Sequence, residues 1–282
     1  MNRPLIIVGL QKSGTSLLKK ILATSAQLVN LFPAEGNGLW GNVPPFSPEQ
    51  SPVGTLYQQH RGQKGHCLTA EDFLPEDAKL IQERLEKELS KHATRPAWLT
   101  KNPYLTVRLA WLKQVFPDAV VVACLRKPLP NVFSLYKRYT HALHGRQPEQ
   151  GWWGVKPENW QQLVDSDPLI TAARQWQAIN QQLLANRHHV DCIVPYHQLT
   201  TEPDQVLNCI EAVLSVDLNC QIPMLQCLDD EWQTGGSAVS ANQEETTLLA
   251  SETRVPGLSG LQIERVGQYC DDTWEQWQAV IS

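Results

Sequence analysis

No stretch of this chain approaches the roughly 20 apolar residues that a membrane-spanning helix needs, so no membrane span is expected. The opening apolar run, Leu5 to Leu10, is too short for a signal peptide and leads straight into a loop. A cytoplasmic location is therefore the expectation. Nor is there an excess of positive charge. The formal net charge of −5 argues against nucleic-acid binding by the chain as a whole. The seven cysteines, Cys67, Cys124, Cys192, Cys209, Cys220, Cys227 and Cys270, are odd in number and contain no CxxC pair. A disulfide framework or zinc site is not expected from them. Cys124, Cys192 and Cys209 lie in apolar segments and read as small buried hydrophobes. His188-His189 reads as a polar turn. No Pro/Gly/Ser-rich linker, repeat or low-complexity tract divides the 282 residues, of which 42% are hydrophobic. One domain over 1–282 is the expectation.

What is present is concentrated near the start. Leu5-Ile6-Ile7-Val8 feeds into Gly9-Leu10-Gln11-Lys12-Ser13-Gly14-Thr15-Ser16 and then Leu17 to Leu22. This reads as buried strand, tight turn and helix start. Free backbone N–H groups and the positive end of a helix dipole then converge on one point, where a phosphate or sulfate belongs. The spacing approaches a nucleotide P-loop, with one departure. Thr15, not lysine, follows Gly14, and the lysine stands inside the loop as Lys12. From there it would sit near a single 5′-phosphate and neutralise charge on a leaving oxygen.

Further along, strands are expected over Leu28–Phe32, Ala97–Thr100, Ala119–Leu125 and Val190–Pro195. Helices are expected over Asp72–His92, Leu105–Phe116, Pro130–Thr140, Leu169–Ala185, Asp204–Leu214 and Asp271–Val280. Residues 41–68 read as an irregular excursion. Residues 141–168 are too long for a simple connection and read as a lid or substrate-side insertion. Strands alternating with helices imply an α/β fold: three layers, a mostly parallel central sheet with helices on both faces, like a P-loop NTPase. Ligands bind such sheets beyond the carboxyl ends of the strands. Lys12, Glu35, Lys101, Arg126 and Tyr196 all fall there and should share one rim. Trp111 and Trp176 sit at helical spacing among apolar residues and read as core.

Four segments resemble the sulfotransferases that use 3′-phosphoadenosine 5′-phosphosulfate (PAPS). Gly9 to Ser16 is similar to the family's 5′-phosphosulfate loop, which carries its lysine inside the loop. Leu125-Arg126-Lys127-Pro128 with Ser134 is similar to its 3′-phosphate motif. Pro195-Tyr196-His197-Gln198-Leu199 is similar to the segment whose tyrosine lies by the adenine, with His197 and Gln198 in place of an acidic pair. Gly154-Val155-Lys156-Pro157 resembles a substrate-side region of some bacterial members.

The resemblance implies sulfuryl transfer from PAPS to a hydroxyl or amine of a small-molecule or glycan acceptor, leaving 3′,5′-adenosine bisphosphate (PAP), with no metal. Gln11, Lys12, Ser13, Gly14, Thr15, Ser16, Arg126, Ser134 and Tyr196 would bind the nucleotide. Lys12 would offset charge on the bridging oxygen and Lys101 would meet the sulfuryl oxygens. Pro103 stands where many cytosolic relatives carry a catalytic histidine, so Glu35 is the expected general base, with His141 and His144 behind it. Trp152, Trp153 and Trp160 would form an aromatic wall for the acceptor. The alternatives are a P-loop kinase or other NTPase, and a non-catalytic nucleotide-binding relative.

Overall fold

A computed structural model describes residues 3–31, 37–40, 64–140, 151–222 and 257–281. Glu35, His141, His144, Cys227, residues 41–63 of the excursion expected over 41–68 and residues 141–150 of the insertion expected over 141–168 lie outside these residues.

Five strands form one parallel sheet: β1 (Arg3–Val8), β2 (Leu28–Asn30), β3 (Ala97–Lys101), β4 (Val120–Leu125) and β5 (Cys192–Pro195). Their order is β2-β3-β1-β4-β5, and every pairing is parallel. Side chains alternate across a strand. Leu5 and Ile7 of β1 therefore join one core with Leu99, Val122 and Val194. Ile6 and Val8 join another with Trp98, Val121 and Ala123 on the opposite face. Because both faces are covered, the strands read as unbroken apolar runs.

The first face is covered by α1 (Thr15–Leu22) and, after α8 (Tyr196–Thr201), by α9 (Pro203–Leu214), through Leu18, Ile21, Val206 and Ile210. The second is covered by α2 (Asn37–Trp40), α3 (Pro75–Leu89) and α4 (Leu109–Val115), through Trp40, Ile81, Trp111 and Leu112. A third cluster joins α5 (Pro128–Thr140), α7 (Pro168–Ala185) and α10 (Gly260–Ile281) to Leu10 of the first turn. A short helix, α6 (Trp160–Leu163), precedes α7. Pro168 opens α7, and the Asp167 carboxylate caps it by accepting from the Leu169 N–H at 2.9 Å.

The expected α/β architecture stands, with differences at element ends. The helix expected over Leu105–Phe116 is broken. Pro103–Val107 is a 3-10 helix, entered through the Asn102 side chain, which accepts from the Tyr104 N–H. Arg108 then leaves helical geometry at φ −140° and its Nε donates to the His66 carbonyl at 2.6 Å. A tertiary hydrogen bond thus overrides local propensity. The terminal helix starts earlier than Asp271, at Gly260. Trp111 and Trp176 are fully buried, as expected. Cys124 and Cys192 are buried, but Cys209 is exposed. It lies on α9 beside, not on, the stripe of Val206, Ile210 and Leu214 that faces the sheet.

Trp111 meets the edge of Trp40 with ring centroids 6.4 Å apart. Trp111→Ala opens a cavity at this inter-helix contact and should lower unfolding free energy by about 3–5 kcal/mol. Urea denaturation measures this; a loss below about 1 kcal/mol would show that the site collapses to fill the space.

Candidate functional site

The chain runs from β1 to β2 and β3 on one side of β1, then crosses to β4 and β5 on the other. The order reverses between β1 and β4, where an open α/β sheet leaves a crevice at its carboxyl edge. The turn after β1 and Arg126 after β4 flank that crevice.

The turn is built by close backbone approach. Gly9 has φ +132°, and a Cβ there would lie 2.5 Å from the Cys124 carbonyl of β4. Gly14 has φ +105°, and a Cβ there would lie 2.7 Å from the Tyr196 ring. Only glycine fits both the conformation and the space. Lys12 takes the left-handed conformation as well, at φ +69°, which a non-glycine residue adopts at a free-energy cost. The Gly9 N–H donates to Thr106 Oγ1 at 2.8 Å, the Ser13 N–H to the Leu10 carbonyl at 3.2 Å, and Asn131 Nδ2 to the Gln11 carbonyl at 3.0 Å. Gly14 is the N-cap of α1 and supplies no side-chain cap. The N–H groups of Thr15, Ser16 and Leu17 therefore have no acceptor within the helix, the arrangement that suits a helix start to an anion.

The expected site residues fall as follows. Arg126 and the turn are in contact: Arg126 Nη1 donates to the Lys12 carbonyl at 3.1 Å. The guanidinium also stacks 4.1 Å from the centroid of the Tyr196 ring, so Tyr196 is held between Gly14 and Arg126. Lys101 ends β3 in register with Ile7 of β1 and is 5% exposed. Its charge reaches Cys124 of β4, whose thiol burial nonetheless pushes well up. Thr15 and Ser13 are buried and Ser16 is exposed. The Gln11 side chain packs on the 151–157 segment, its Oε1 accepting from the Val155 N–H at 3.4 Å. The Ser134 hydroxyl donates to the Pro130 carbonyl of its own helix at 2.9 Å.

Among the described residues, two buried polar atoms at the turn, Ser13 Oγ and Arg126 Nε, have no hydrogen-bond partner, and neither has Asn131 Oδ1 beside them. Unpaired buried donors are rare and costly. Ser13 Oγ and Arg126 Nε both suit oxygen atoms of a bound anion, and the two-glycine cradle leaves the backbone open to it. The residues present fit a phosphorylated ligand.

The aromatic wall is corrected. Trp152 and Trp160 are each 2% exposed. They pack edge to face at 5.9 Å, and Trp152 Nε1 donates to the Val155 carbonyl at 2.9 Å. Lys156 Nζ lies 4.1 Å over the Trp160 ring. These groups hold 151–157 against the first turn; Trp153 alone of the three is half-exposed.

Sequence reasoning missed Thr106, Asn131, Trp176 and His66. Asn131 lies three positions before Ser134 and five after Arg126, a polar residue on an otherwise apolar helix face, which was a usable signal. Trp176 Nε1 donates to the Arg126 carbonyl at 3.3 Å. The backbone of His66 pairs with Lys156, and its Nδ1 accepts the Lys156 N–H at 2.7 Å. Burial, then the charges of Arg108 and Lys156, hold its imidazole well below the usual histidine range.

Among the described residues no group of three or more His, Cys, Asp and Glu is placed to hold a metal ion, and no helix is long and apolar enough to cross a membrane.

The sulfotransferase family model matches residues 4–219. The structure is similar to that of sulfotransferase STF9 from Mycobacterium avium, at 16% identity and TM-score 0.53, over 97% of this chain and 76% of that one. Sulfotransferase STF1 from Mycobacterium tuberculosis matches at 16% identity and TM-score 0.42, over 83% and 77%. A sulfotransferase from Alicyclobacillus acidocaldarius matches at 15% and 0.47, over 95% and 96%. No curated protein matches the chain. At these identities the likeness to STF9 speaks to the fold.

The buried His66 predicts a pH dependence. The unfolded histidine takes up a proton as pH falls through its ordinary value near 6.5, while the folded one resists until lower pH. The unfolded state then binds more protons, so stability falls as pH falls through that window. Urea unfolding should show wild type losing about 1 kcal/mol more than His66→Gln between about pH 7.5 and about pH 5.5. Equal losses would place the proton uptake elsewhere.

Proposed function

Because the chain belongs to the sulfotransferase family, matched over residues 4–219, we propose that it transfers a sulfuryl group from PAPS to an acceptor hydroxyl or amine by in-line displacement. Family membership supports a transferase of sulfuryl groups; the donor and the residue roles are our reading. One observation carries it. Arg126 touches the first turn, Nη1 to the Lys12 carbonyl at 3.1 Å, so the two anion-binding elements meet at one crevice and can serve one doubly phosphorylated nucleoside.

PAPS, when bound, supplies an activated sulfuryl group on a phosphate leaving group. Sulfuryl transfer resembles phosphoryl transfer in its loose transition state, so positioning and charge stabilisation do most of the work. The N–H groups at the start of α1, with the hydroxyls of Ser13, Thr15 and Ser16, hold the 5′-phosphate. Lys12, kept within the loop by its left-handed backbone, offsets charge on the bridging oxygen. Lys101, buried at the end of β3, faces the sulfuryl oxygens. Arg126 presents its unpaired Nε to the 3′-phosphate, and Ser134 joins it by rotating its hydroxyl from the Pro130 carbonyl. Tyr196 lies against the adenine. Glu35, in the segment following β2, removes the acceptor's proton.

A P-loop kinase needs a lysine after the second glycine and a carboxylate for Mg²⁺ nearby. Thr15 occupies the first position, and β4 leads into Arg126.

Calorimetric titration tests the donor. PAP should bind far tighter than ATP, and a preference for ATP would remove the assignment. Arg126→Ala should weaken PAP by about 10- to 100-fold while leaving AMP little changed; equal losses for both would show that Arg126 does not read the 3′ group. Glu35→Ala should lower turnover by about 100-fold or more with PAP affinity retained. Binding without turnover in the wild type, across an acceptor panel of sugars, phenols, lipids and peptides, would favour a binding module.

A further inference from the structure

The exposed Cys209 on α9 has a partner that no feature of the crevice explains. Its sulfur lies 2.6 Å from that of Cys192, 17 positions earlier at the start of β5. That is about half an ångström beyond a covalent S–S bond. Packing enforces the approach, since Val206, Leu207 and Ile210 on either side of Cys209 join the same core as Cys192. The two residues differ in access: Cys192 is 4% exposed, whereas Cys209 is an exposed residue.

We propose that Cys192 and Cys209 form a reversible disulfide when the protein meets a peroxide. The exposed Cys209 thiolate is the attacking group. Its sulfur takes one oxygen of the peroxide: an S–O bond forms, the O–O bond breaks, and hydroxide leaves. The Cys192 sulfur then attacks the Cys209 sulfenic acid. The S–S bond forms, the S–O bond breaks, and the Cys192 proton leaves with the hydroxyl group as water. Two thiols lose two electrons and the peroxide gains them. A thiol reductant reverses the step by exchange.

The bond closes a loop that contains all of α8, including Tyr196, whose ring packs on Gly14 and Arg126. It pins the edge strand β5 to the helix that covers it. In a reducing compartment such a bond is transient, so it would report oxidant exposure. Its formation is independent of the nucleotide reading.

The test uses the full chain, treated with hydrogen peroxide, alkylated under denaturing conditions and digested after acidic residues. Cleavage at Asp204 and Glu211 separates the two cysteines, which share one long tryptic peptide. The Cys192 and Cys209 peptides should be recovered joined, about 2 Da lighter than their sum, and should separate on treatment with dithiothreitol. Thermal melting of the oxidised protein should rise by about 5–10 °C, and Cys209→Ser, an exposed substitution, should show no rise. Recovery of Cys209 as a sulfenic or sulfinic acid with Cys192 still alkylated would overturn the proposal. So would bridging of either residue to another cysteine, or an equal rise in Cys209→Ser.

Discussion

The structure depends on the contact between the backbone of the first turn and the carboxyl end of β4. Gly9 runs so close to the Cys124 carbonyl that no Cβ fits, and two residues beyond Cys124 the Arg126 guanidinium reaches back to the Lys12 carbonyl. Both contacts require β1 and β4 to be neighbours, which they are from Leu5↔Val120 to Val8↔Ala123. That adjacency is also where the connections change direction. The crevice exists because the helix after β1 and the helix after β4 lie on different sides of the chain's reversal. Sheet order, turn conformation and the position of the arginine are thus one constraint seen at three scales.

Around that contact, neighbouring elements fix the turn from several directions. Thr106 accepts the Gly9 N–H, Asn131 donates to the Gln11 carbonyl, and Val155 donates to the Gln11 side chain. These come from the 3-10 helix after β3, from α5, and from the 151–157 segment. Each satisfies a backbone or amide group that would otherwise be buried without a partner. The left-handed Lys12 is held by this surrounding network, because its own preference would relax the turn.

Local patterns in the sequence were enough to place the five strands and the glycine-bounded turn, and to put Lys12, Lys101, Arg126 and Tyr196 at or just after strand ends; Glu35, expected on the same rim, lies outside the described residues. These rest on apolar runs and on the chirality of parallel sheets, which act locally. What escaped was tertiary. Arg108 interrupts a helical pattern because its side chain answers the His66 carbonyl from a distant segment. Trp152 and Trp160 carry the composition of a binding wall, but their rings pack on each other and their neighbours. Cys209 sits in an apolar stretch, yet it lies at the margin of the buried stripe, an exposed residue whose sulfur still meets that of Cys192. Periodicity shows which face a residue belongs to only when the partner face is known.

The electrostatics at the crevice run against ordinary stability. Arg126 is met by a carbonyl and an aromatic face; among the described residues no carboxylate pairs with it. On α5, Lys137 is held below the usual lysine range by burial and then by the charges of Arg126 and Arg138. Among the described residues the Arg126 Nε has no hydrogen-bond partner, and a buried donor without one costs stability. In the proposed reading, a bound phosphate would give the Arg126 Nε an acceptor and would meet the positive end of the α1 dipole. Departures from local folding rules that cluster at one place are expected at functional sites. The proposed donor would answer them: a doubly phosphorylated nucleoside spanning the end of β1 and the end of β4 would meet each of these groups.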